Sequence, residues 1–176
     1  MPVREKVRQA PSAMGLHTFE RVLAGISPAC RRVYGDRLAS IVVFGSVGRG
    51  TARADSDIDL LVVADDLPSG RIRRVREFDE VRHLLAPALA TATAAGLRTR
   101  LAPIFKTPGE AQRGSPLFLD MTEDARLLYD RDAFFQGCLD DLRKRLAGLG
   151  ARRVWRGDAW CWDLKPDYRP GEVIDI

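Results

Sequence analysis

Apolar residues fall along this chain in two rhythms. Between Thr18 and Tyr34, Phe19, Val22, Leu23 and Ile26 recur by three and four, which predicts a helix that Pro28 bends or restarts and Gly35-Asp36 ends. Leu38 to Phe44 and Ile58 to Val63 are short apolar runs and predict strands, the second suited to burial on both faces. Asp65 to Gly70 is a turn-rich loop. From Arg71 to Ala95, Ile72, Val75, Phe78, Val81, Leu84, Leu85, Ala88 and Leu89 return mostly to helical spacing, and Gly96 supplies the stop. Leu97 to Phe105 predicts a third strand bounded by Thr107-Pro108-Gly109, and Arg126 to Tyr129 a short fourth. Between them a helix is expected to start near Ser115-Pro116, where serine can cap and proline can occupy the first turn. Phe134 to Leu149 predicts a closing helix with Phe135, Cys138, Leu139, Leu142 and Leu146 on one side. The tail from Ala151 to Ile176 carries Trp155, Trp160 and Trp162 and reads as extended or turn structure, its aromatic rings expected to pack on the domain.

The 176 residues suit one domain with a sizeable core. The expected organisation is a single unit over 1–176, its motif core at about 18–130, with a helix and a tryptophan-rich tail over 131–176. No apolar stretch approaches the roughly 20 residues that span a bilayer. Met1 to Ala13 has charges but lacks a signal-peptide core, so no membrane and a cytoplasmic location are expected. Cys30, Cys138 and Cys161 are far apart, odd in number and form no Cys-x-x-Cys pair, which argues against a disulfide framework or zinc cluster and leaves them as buried or incidental thiols. The net charge of +4, from 28 basic and 24 acidic residues, suits an anionic ligand but gives no basic stripe, so nucleic acid is not an expected partner. The densest basic run, Arg71, Arg73, Arg74 and Arg76, reads as a solvated helix face.

The chemistry is concentrated between the first two strands, from Gly45-Ser46 to Asp57-Ile58-Asp59-Leu60. Asp57 and Asp59 are two apart, so on a strand their carboxylates share a face while Ile58 and Leu60 take the other. Two carboxylates this close repel, and a divalent cation between them reverses the sign of the interaction. Magnesium fits, since it keeps few carboxylate ligands and completes its shell with water and phosphate oxygens. Asp57 and Asp59 are therefore the expected catalytic and metal-binding residues, able to bridge two ions about 3.5 to 4 Å apart. Gly45 lets backbone approach a phosphate, Ser46 can donate to it from amide and hydroxyl, and Arg49 or Arg53 can add charge-assisted contacts. The glycines form neither a dinucleotide fingerprint nor a Walker loop. Ser115 lacks a nucleophile-elbow context, and His17 and His83 form no triad or metal pair.

A glycine-serine pair, ten residues, then Asp-x-Asp, set between two strand-like runs, resembles the signature of the DNA polymerase β-like nucleotidyltransferases, in particular their minimal (MNT) type. The resemblance implies an α/β (α+β) fold with a short mixed sheet flanked by helices, two magnesium ions, and a nucleoside triphosphate such as ATP that passes its nucleoside monophosphate to a hydroxyl acceptor and releases pyrophosphate. Gly45 and Ser46 match its phosphate-binding loop, and Asp57 and Asp59 its first two metal carboxylates. It further implies a partner of the HEPN toxin type, with a small molecule such as an aminoglycoside as another acceptor. Active members carry a third carboxylate on a later strand, yet Leu97 to Ile104 contains no acid. Asp120, Glu123 and Asp124 are the candidates to replace it. The other reading is a catalytically impaired module that binds nucleotide or protein without turnover. A template-directed polymerase is disfavoured, because the chain has no room for accessory domains.

Overall fold

A computed structural model of the chain describes residues 13–157 and 159–173, with side chains from residue 18 onward. The expectations for the charged start of the chain, for the His17 side chain and for the last residues of the tail fall outside that description. Four strands form one sheet in the order β3-β2-β1-β4: β1 (Leu38–Phe44), β2 (Ile58–Ala64), β3 (Leu101–Lys106) and β4 (Arg126–Asp130). β1 runs antiparallel to β2 and β4, while β2 and β3 are parallel, so the sheet is mixed as expected. The parallel step is bridged by the long helix α3 (Arg71–Ala94), because a parallel pair needs a crossover.

The sheet is covered on both faces, which is why its central strands are apolar on both sides. Ile58, Leu60 and Val62 of β2 face α1 (Ala13–Tyr34) and α3, joining Phe19, Val22, Ile26, Phe78 and Val81. Leu61 and Val63 face the other way, onto Phe118 of α5 (Leu117–Asp124) and Phe135, Leu139 and Leu142 of α6 (Phe134–Leu149). Phe118 and Phe135 meet edge to face, with centroids 5.1 Å apart. A register shift in β1 between Leu38 and Ser40 lets Ala39 and Val42 reach the same side. Ser40, fully buried on this bulge, donates to Asp130 Oδ1 at 2.6 Å. Asp130 also accepts from the backbone N–H groups of Phe135 and Gln136, satisfying donors at the start of α6.

Three sequence expectations change. α1 runs through Pro28 without a break, since Pro28 lies on the exposed side, where the carbonyl it leaves unbonded is open to water. The third strand begins at Leu101 rather than Leu97: the Leu97 amide closes the end of α3 on Ala92 O, and the Arg98 amide reaches back to Ala54 O at 2.6 Å. A short helix, α4 (Pro108–Gln112), occupies what reads as a strand boundary, held by a reciprocal capping box between Thr107 and Glu110. The tail is extended and turn structure as expected, ordered into a regular hairpin of β5 (Arg152–Arg156) and β6 (Ala159–Asp163).

Candidate functional site

β1 ends at Phe44 and the chain turns at Gly45 into a four-residue helix, α2 (Gly45–Gly48). Gly45 has φ +66°, and a Cβ there would stand 2.3 Å from Asp59 Oδ2, so both the turn and the adjacent carboxylate require glycine. Gly48 is equally confined, its missing Cβ position lying 2.8 Å from Asp124 O and 2.9 Å from Val43 O. The loop folds back on itself through Arg49 N to Gly45 O, Gly50 N to Val47 O and Thr51 N to Ser46 O, at 2.9 to 3.1 Å. The first N–H groups of α2 have no intrahelical acceptor and no side-chain cap, which suits them to an anion.

Asp59 sits opposite Phe44 in the β1–β2 pairing and shares the face of Leu61 and Val63. Burial raises its pKa above the ordinary carboxylate value, the neighbouring Asp57 charge raises it further, and Arg49 opposes both. Asp57 lies at the mouth of the strand, 37% exposed, with Arg100 at 3.3 Å from its Oδ2. A partly buried carboxylate beside a second one at the open mouth, against a glycine turn, is the arrangement a divalent cation relieves, and it fits an ion that draws its remaining ligands from phosphate and water.

No third acid joins them among the described residues, where no group of three or more His, Cys, Asp or Glu side chains is placed to hold a metal. The β3 partner of Asp59 is Ala102, and Arg100, two residues earlier, pairs with Asp57 instead. The replacements expected on α5 are engaged elsewhere. Asp120 Oδ1 accepts from Trp160 Nε1 and Trp162 Nε1, each at 2.9 Å. Burial pushes its pKa up, but the two indole bonds and the Arg153 and Arg49 charges together bring it below the ordinary value. Asp124 is bound by Arg153 at 2.8 Å, and Glu123 lies on the exposed side of the helix.

Of the two candidate cations, Arg53 is exposed, whereas Arg49 is half-buried beside Asp59 with its guanidinium 4.8 Å from the Trp160 ring centroid. Arg153 was missed by motif reasoning. It stands 18% exposed between the rings of Trp160 and Trp162, at 4.9 and 5.5 Å, and ties the hairpin to Asp120 and Asp124. The signal was the alternation Arg153, Trp155 and Trp160, Trp162 on either side of Gly157, which puts all four side chains on one face of a hairpin. His83 is exposed on α3, and the basic run is a solvated face apart from Arg74, which chelates Glu110. Cys30 is buried, which pushes its thiol up to about 12, and all three cysteines are free. No helix among the described residues is long and apolar enough to cross a membrane.

A family model described as a nucleotidyltransferase domain matches residues 23–107, which include the loop and both aspartates. A protein of Methanocaldococcus jannaschii named "putative protein adenylyltransferase" is 34% identical over 116 residues, 65% of this chain and 74% of that protein. Among solved structures, a toxin–antitoxin crystal structure with AMP-PNP aligns at 21% identity and a TM-score of 0.42, covering 73% of this chain and 92% of the other. A complex of the tri-AMPylated Shewanella oneidensis HEPN toxin with its MNT antitoxin aligns at 17% and 0.39, covering 74% and 92%.

Proposed function

This chain belongs to the nucleotidyltransferase family, and on that footing we propose that it transfers AMP from ATP to a hydroxyl group on a protein. The observation that carries the reading is the close approach of Gly45 to Asp59, which packs the glycine turn directly against a partly desolvated carboxylate with Asp57 beside it. In this reading the amides of Ser46 and Val47, the Ser46 hydroxyl and Arg49 hold the triphosphate. Asp57 and Asp59 are the ligands for magnesium, which when bound neutralises charge developing on the phosphates. The acceptor hydroxyl loses its proton to solvent as its oxygen forms a bond to the α-phosphorus, and the bond from that phosphorus to the oxygen bridging to the β-phosphate breaks, so that pyrophosphate leaves. Holding the acceptor in line, at the open mouth where Asp57 is exposed, is the protein's part of the rate enhancement.

A protein acceptor is favoured by the name of the Methanocaldococcus relative, and the HEPN-type helical protein that the motif's resemblance implies is the first candidate to test. With α-labelled ATP, magnesium and such a partner, label is expected on the partner. The Asp57→Asn/Asp59→Asn variant is expected to lose transfer by about a hundredfold or more. Full transfer by that variant removes these carboxylates from the reaction.

One observation favours a second reading, a nucleotide-binding module without turnover: Ala102 and Arg100 stand where β3 would present an acid to Asp59 and Asp57. Calorimetric binding of ATP with no pyrophosphate released in the presence of partner would select it.

A further inference from the structure

The tryptophans of the chain, Trp155, Trp160 and Trp162, all lie on the C-terminal hairpin, and Trp160 meets Arg49, the residue that follows α2. Its ring is fixed from several directions. Nε1 donates to Asp120 Oδ1 at 2.9 Å, the Arg153 guanidinium stands 4.9 Å from the ring centroid, and Trp155 meets it edge to face at 5.1 Å. Asp120 is held in turn by Trp162 and Arg153. A ring so constrained constrains the cation on its face.

Arg49 makes no ion pair among the described residues, although Asp59 and Asp120 are both near enough to feel its charge. The distinction matters for an anion-binding arginine. A carboxylate at ion-pair distance would orient the guanidinium but neutralise it and compete with phosphate, whereas an indole face orients it and leaves its charge and its N–H donors available. We infer that Trp160 is a positioning residue that pre-orients Arg49 for the phosphates of bound nucleotide, which makes the C-terminal hairpin a working part of the nucleotide site. The inference rests on the proposed role of the loop and extends it to a segment outside the matched family region.

The test is calorimetric binding of a non-transferable ATP analogue with magnesium to the full chain. The parent is expected to bind, and Trp160→Leu, which keeps apolar bulk but removes the π face, to bind about fivefold or more weakly. Trp160→Phe is expected to recover most of that loss. Trp162→Phe, which gives up a bond to the same Asp120 oxygen but leaves the face under Arg49 in place, is expected to bind close to the parent. Arg49→Ala combined with Trp160→Leu is expected to be no weaker than Arg49→Ala alone. A second measurement needs no substitution: tryptophan emission comes from the hairpin alone, so it is expected to change as nucleotide saturates the site. Equal affinity of Trp160→Leu and parent, additive losses in the double variant, or emission unchanged at saturation overturns the positioning role and leaves the nucleotide site standing. Failure of the parent to bind the analogue overturns both.

Discussion

At Gly45 two demands coincide on one residue. A left-handed φ costs a non-glycine residue roughly 1–2 kcal/mol, and a methyl group at this position would also collide with the Asp59 carboxylate. Gly50 has a similar φ, +72°, but open space around its Cβ position. Gly45→Ala is therefore expected to displace Asp59 and lower AMP transfer by at least about tenfold, besides its backbone cost. Gly50→Ala should show the backbone cost alone, about 1 kcal/mol in urea unfolding, with transfer retained. Equal effects of the two on transfer would mean that the Gly45 contact with Asp59 has no bearing on the site.

Among the elements, α4 is the clearest case of a short segment stabilised by side chains rather than by helix propensity. Five residues are too few for a self-sustaining helix. Thr107 and Glu110 close both ends of a capping box, and Glu110 also receives two bonds from Arg74, at 2.7 and 3.0 Å, tying α4 to the first turn of α3. The Arg74 bonds hold the Glu110 carboxyl at about 2, well below its ordinary value of 4.5. Because the folded value is depressed, the stabilisation is fully present above pH 4.5 and is lost as pH falls toward 2. Glu110→Gln keeps an acceptor for the cap but loses the charge, so it is expected to cost roughly 1–2 kcal/mol at pH 7. The gap from the parent should narrow as unfolding is repeated at lower pH; a gap independent of pH would show that the ion pair contributes nothing. The element was invisible to pattern reading because Thr107-Pro108-Gly109 carries turn residues, and its real signal, Thr107 followed three residues later by Glu110, lacks the apolar run that usually marks a helix start.

The whole molecule is organised by a sheet with a separate apolar cluster on each face. Phe78 lies in one and Phe135 in the other, both fully buried. Each Phe→Ala substitution is expected to cost about 3–5 kcal/mol, and the double variant the sum to within roughly 0.5 kcal/mol, since the clusters lie on opposite sides of the β1 and β2 backbones. Strong non-additivity in denaturant unfolding would mean that the two faces share one core. The sequence by itself determined the strands β1 and β2, the long helices and the Gly45–Asp59 motif. These are local properties: apolar spacing, turn residues, and the two-residue interval between Asp57 and Asp59. What only the tertiary structure decided depends on residues far apart in the chain. Asp120 reads as a spare metal ligand until a hairpin forty residues later brings two indoles onto it. Arg49 reads as one of two equivalent cations until Trp160 selects it. Carboxylates and guanidinium groups take their chemical role from the partners that packing supplies, and no spacing along the sequence states which partner arrives.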